Sequence, residues 1–111
     1  MTVKEILVTG ILDTKGDEIK FLAERVKAAG GNPTILELSV GREVGWADIG
    51  LSEVLTRVGK KPGDIFALDR KAASDLVAEG AIRLVNEMVA AGKVHGIIAY
   101  GGSMGASIAT R

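Results

Sequence analysis

The sequence has no cysteine, two prolines, one histidine and few aromatic residues, which make up 4% of its 111 positions. Without cysteine there is neither a disulfide scaffold nor a thiolate metal site, and a reducing compartment, by default the cytoplasm, is the expected setting. With so few rings the core has to be filled by Ile, Leu, Val and Ala, so thin layers are expected. His95 has no serine, cysteine or carboxylate beside it in sequence to form a nucleophilic system, and its reading is structural. No histidine pair is spaced to hold a metal tightly. Net charge is missing too, because 14 basic residues balance 14 acidic ones. No long-range field gathers nucleic acid or an anionic membrane, and neither is expected as a partner. The apolar stretch after Met1-Thr2-Val3-Lys4-Glu5 is broken by Thr9 and Gly10, far short of a signal-peptide core or a membrane span.

Glycine is what the chain has in excess: 15 residues, about twice the usual frequency of about 7%, with no collagen period. These glycines punctuate an alternation of strands and helices within what the length allows, a single domain. Val3 to Thr9 carries Ile6, Leu7 and Val8, a short run suited to a parallel strand buried on both faces. From Gly16 to Ala29, Ile19, Leu22, Val26 and Ala29 recur at helical spacing between charged residues, and Gly30-Gly31 closes that helix. Pro33 to Leu38 reads as a second strand opened by proline. Residues 39 to 68 read as a crossover with one short helix over Ser52 to Val58. A long helix capped by Asp69 or Ser74 then runs to Ala91, interrupted by Gly80 at a cost of about 1 kcal/mol relative to alanine. Val94 to Tyr100 is a third strand. The fold class is therefore α/β, a three-layer αβα Rossmann-like parallel sheet in spatial order 2-1-3. Only about one helical turn of sequence follows Gly105, so the domain is expected to continue past Arg111. The apolar third strand would lie at the sheet edge, to be covered by a second copy or by further sequence.

Open parallel sheets bind ligands outside the carboxyl ends of their strands, where strand order reverses. Strands one and three flank that point. The turn after strand one holds Gly10, Asp13, Thr14 and Lys15, and the turn after strand three holds Gly101, Gly102, Ser103 and Gly105. Turns lacking Cβ atoms bring the free N–H groups of a helix start close to phosphate, Ser103 adds a hydroxyl, and Lys15 adds an ammonium. Neither turn matches the dinucleotide fingerprint or the phosphate-loop motif. From pattern alone, glycines that only permit tight turns, with Lys15 solvated, weigh equally. Asp13 and Thr14 either cap the first helix, the commoner role, or serve a ligand, Asp13 by binding ribose hydroxyls or magnesium. Trp46 either anchors its connection or stacks on a base. Arg42, Arg70 and Lys71 are crevice charges or surface groups. Magnesium carried by nucleotide phosphates would leave little trace in sequence.

Three features in order carry a resemblance: Gly10-Ile11-Leu12-Asp13-Thr14-Lys15-Gly16 followed by Glu18, Phe21 and Leu22; Asp69-Arg70 ahead of the long helix; and Gly101-Gly102-Ser103-Met104-Gly105 with Ala109-Thr110. Over its whole length the chain resembles the Tm-one-like ATP-binding domain family, named for a tomato mosaic virus resistance protein. The resemblance implies a Rossmann-like ATP-binding region at the amino end of a longer protein, of which this chain would be the first half. Two positions depart from that family's pattern: Ala106, where a small hydroxyl residue is usual, and Met104, often glycine. The leading expectation is an ATP-binding module, with magnesium accompanying the nucleotide. Two alternatives stand beside it. One is part of an enzyme acting on a small phosphorylated or carboxylated metabolite. The other is a non-catalytic association module working through its apolar edge as a homo-oligomer or by docking to the rest of a full-length chain.

Overall fold

The computed structural model describes residues 3–100. The element order is β1 (Glu5–Gly10), α1 (Leu12–Ala28), β2 (Asn32–Glu37), α2 (Leu51–Thr56), α3 (Pro62–Phe66), α4 (Arg70–Ala90) and β3 (Gly96–Tyr100). The three strands form one parallel sheet in the order β2-β1-β3, with Val8 opposite Ile35 on one side and Ile98 on the other. The expected α/β fold and strand order are present.

Because successive strand residues face opposite sides of a sheet, Leu7 and Val8 divide the core into two layers. Leu7 and Leu36 pack with Leu51, Val54 and Leu55 of α2 and with Val77, Ala81 and Leu84 of α4. Val8 packs with Leu12, Ile19 and Val26 of α1 on the other face. Phe21, Trp46, Phe66 and Tyr100 are exposed, so aliphatic side chains carry the burial. Among the described residues no helix is long and apolar enough to cross a membrane.

Helix boundaries follow local chemistry. Asp69 caps α4, its side chain accepting from the Ala72 amide at 2.8 Å, which decides between the two caps the sequence offered. Both long helices end in a paired 6→1 and 5→2 backbone closure: Gly31 N to Val26 O and Gly30 N to Lys27 O after α1, Lys93 N to Met88 O and Gly92 N to Val89 O after α4. Helix α3 was not expected. It begins at Pro62, whose missing N–H costs nothing in a first turn, and the Lys61 amide donates back to Asp64 at 2.9 Å. Gly80 has a packing reason: a Cβ there would stand 2.5 Å from the Val54 carbonyl oxygen, where α4 crosses α2. Arg57, just past α2, makes a two-pronged contact to Glu87 of α4 at 3.0 and 3.2 Å. That bond from Arg57 holds the Glu87 carboxyl below its ordinary range, and the same bond raises the Arg57 guanidinium.

The third strand departs from the pattern of a strand buried on both faces. Ile97 and Ile98 are 43% and 36% exposed, and Tyr100 is 39% exposed. His95, just ahead of β3, is exposed and structural: its amide donates to the Glu5 carbonyl at 2.8 Å, and its Nδ1 accepts from the Glu5 amide at 2.9 Å.

Candidate functional site

The carboxyl end of β1 is where the strand order reverses, and Gly10 sits there, buried and paired with Tyr100. A Cβ on Gly10 would lie 2.5 Å from the Tyr100 carbonyl oxygen and collide with the Ile19 side chain. Close approach of β1, β3 and α1 therefore requires glycine at this position.

Helix α1 begins two residues later, at Leu12, rather than at Gly16. The expected capping by Asp13 or Thr14 does not occur, since both already lie inside the first turn. The N-cap is Ile11, which has no oxygen in its side chain, and no side chain caps the helix. Thr14 instead donates its hydroxyl back to the Ile11 carbonyl at 3.3 Å, alongside the amides of Thr14 and Lys15 at 3.2 and 2.8 Å. Lys15 has non-helical backbone angles (φ −122°, ψ 26°), so this first turn is kinked away from the remainder of α1, and the Lys15 side chain is exposed.

Asp13 turns toward β2. Its Oδ2 accepts from the Gly41 amide at 2.9 Å, tying the start of α1 to the connection after β2. Its Oδ1 is buried and has no hydrogen-bond partner among the described residues. Buried carboxylate oxygens seldom remain unpaired, so this atom has the chemistry of one awaiting a water or a ligand.

The segment that meets Asp13 is held by Glu37, a carboxylate with no exposed surface at the end of β2. Glu37 accepts from the Ser39 hydroxyl at 2.6 Å, the Val44 amide at 2.7 Å and the Leu51 amide at 3.1 Å. Sequence reasoning missed it; a lone acid inside the apolar run Thr34 to Leu38 was the available signal, because charge in such a place survives only when fully bonded. The loop so held carries Arg42 and Trp46 over α1. Trp46 lies beside Gly16, its ring edge 3.1 Å from where a Cβ would be, and the Lys20 ammonium stands 4.2 Å from the ring centroid. Trp46 thus anchors its connection. Between the loop and α1 lies a polar cavity of about 260 Å³, lined by Asp13, Thr14, Gly16, Lys20, Arg42 and Trp46 among others.

The structure brings Asp13 and Thr14 to one cavity and leaves Gly10 and Lys15 outside its lining. Gly10 faces β3, Asp13 faces the β2 loop, Thr14 is bonded within its own turn, and Lys15 projects from the kink. Gly101, Gly102, Ser103 and Gly105 lie outside the described residues.

Residues 4–111 match the N-terminal domain of the uncharacterised protein family UPF0261. The chain belongs to that family. A UPF0261 protein of Brucella suis is 37% identical over 106 residues, 94% of this chain and 25% of the relative. UPF0261 proteins of Rhizobium meliloti and Clostridium tetani are 34% and 31% identical over 97% and 96% of this chain, and 27% of each relative is covered. The chain spans about a quarter of the length of these relatives, where the earlier resemblance implied half.

Proposed function

We propose that the domain is an ATP-binding module that receives the nucleotide phosphates at the carboxyl ends of β1 and β3. The observation that carries this reading is the start of α1: a helix with no side-chain cap, directly behind a glycine that cannot be replaced without collision, at the reversal of strand order. Free amide groups and the positive end of the helix dipole suit an anion there. Lys15 supplies an ammonium from the kink, and in sequence Gly101, Gly102, Ser103 and Gly105 follow directly after β3. The unpartnered Asp13 Oδ1 suits a ribose hydroxyl or a magnesium-bound water. A dinucleotide mode fits poorly, since it uses an acid near the end of β2 for the ribose, and Glu37 has committed both oxygens to its own loop. A cytoplasmic setting goes with this reading.

Calorimetric titration of the full-length chain with magnesium-ATP tests it. A saturable heat, weakened by Lys15→Ala, is expected; no heat with ATP at millimolar concentration sinks the proposal. The polar cavity favours a second reading. At about 260 Å³ it is below the usual ligand range of about 300–1,000 Å³ and by size suits a small metabolite better than a whole nucleotide, with Lys20 and Arg42 to meet a phosphate or carboxylate beside the acids Asp13, Asp17 and Glu18. Thermal shift by such metabolites and not by adenine nucleotides would select that alternative.

A further inference from the structure

On the α1 side of the sheet, apolar side chains of β3 and α1 border a trough with a hollow at each end of the strand. Ile98 is in register with Val8, a residue of the α1 layer, and Tyr100 is in register with Gly10, whose missing Cβ points at Ile19 of α1. Ile98 and Tyr100 therefore face the same side as α1. Yet α1 does not cover them. Its own Phe21, 63% exposed, forms the opposite bank. Two hollows lie along the seam: one of about 420 Å³ between Phe21, Leu22 and Tyr100 at the carboxyl end of the strands, and one of about 410 Å³ between Val26, Ile6 and Ile98 at the amino end.

We propose that this trough seats one amphipathic helix from the remainder of the full-length polypeptide, lying beside α1 and running in the same direction. Three observations select that occupant. The first is shape: the trough holds a hollow at each end, so a second copy presenting the same surface would trap both, whereas a helix is a convex rod about 10 Å across that fills them. The second is charge. Asp17 and Glu18 stand at the upper hollow and Lys4 at the lower, so a helix whose positive end meets the acids and whose negative end meets the lysine is favoured at both ends. The third is chain supply and topology. Relatives carry about three quarters of their length outside the matched region. A right-handed crossover that continues the sheet outward from β3 puts its helix on the α4 face, so the α1 face over β3 is left for a helix that comes back. A five-residue strand is about 16 Å long, which about 11 helical residues match.

The test uses the full-length protein with benzoylphenylalanine in place of Phe21, photolysed and mapped by mass spectrometry. The expected product is a cross-link within one chain to a segment after residue 111 whose apolar residues recur every three and four positions. Cross-links joining two copies, cross-links only to a segment without that spacing, or none, overturn the proposal. As a second measurement, Phe21→Asp should lower the melting temperature of the full-length chain by about 4–8 °C, while Glu24→Gln, also exposed on α1, changes it by less than about one degree. Equal behaviour of the two variants also overturns it.

Discussion

The two outer strands of the sheet flank the same central strand, and they are finished in opposite ways. Beyond β2 the chain folds back on itself: the Ile35 amide donates to the Asp48 carboxylate at 2.8 Å, the Glu37 amide donates to the Ile49 carbonyl at 2.9 Å, and the Ile49 amide donates to the Ile35 carbonyl at 2.9 Å. Leu36 and Ile49 form a parallel bridge, so the outer edge of β2 is occupied by its own loop. Beside β3 no such device exists among the described residues, and its apolar side chains are half open. A bare apolar edge invites pairing with any available chain. The difference teaches that one side of this domain is finished by local sequence, whereas among the described residues the other is left open.

The closed side can be broken most directly at its anchor. Glu37→Ala leaves the amides of Val44 and Leu51 and the Ser39 hydroxyl without an acceptor in a dry place, and should cost about 3 kcal/mol or more. Urea denaturation measures it, and a midpoint close to that of the parent would show that the loop closes without Glu37. Gly10→Ala comes next, at about 1–3 kcal/mol from overpacking, together with loss of any nucleotide-induced stabilisation. Stability lost with nucleotide response intact would separate the fold from the proposed site. Asp13→Ala should cost about 1 kcal/mol by releasing the Gly41 amide and should weaken magnesium-ATP more than it weakens ATP alone, as calorimetry would show. The smallest effect lies away from both edges, at Glu87. Its folded-state carboxyl is held low by Arg57, so its stabilisation is present above the ordinary carboxylate range and is lost as pH falls through the lowered value. Glu87→Gln should therefore flatten the acid limb of the stability curve only slightly, the Glu87 carboxylate being more than half exposed to water.

Strand order was legible in the sequence because β-branched runs, helical spacing and glycine punctuation all agree at β1, β2 and β3. The cap of α4 was legible for the same reason, Asp69 lying immediately before a periodic apolar stripe. What misled at α1 was the Asp13-Thr14 pair, which has the composition of a cap but stands two and three residues past the N-cap Ile11, since the helix begins at Leu12. Glu37, the Ile49 bridge and the Asp13 to Gly41 bond could not be read, because each joins segments whose pairing no local pattern announces. Of the proposed site, then, the residues Gly10 and Asp13 were visible, and the direction in which each faces was not.

The bond from the Leu51 amide to Glu37 spans 14 residues and has a consequence for the order of folding. Helix α2 is six residues long, and its N-cap, Gly50, offers no side chain. Its first amides are met by Glu37 and, at Ser52, by Glu43. So short a helix does not persist alone in water, and its acceptor arrives only once β2 is in place. Helix α2 should therefore form late, after β1 and β2 have paired, making it a reporter of when the sheet has assembled.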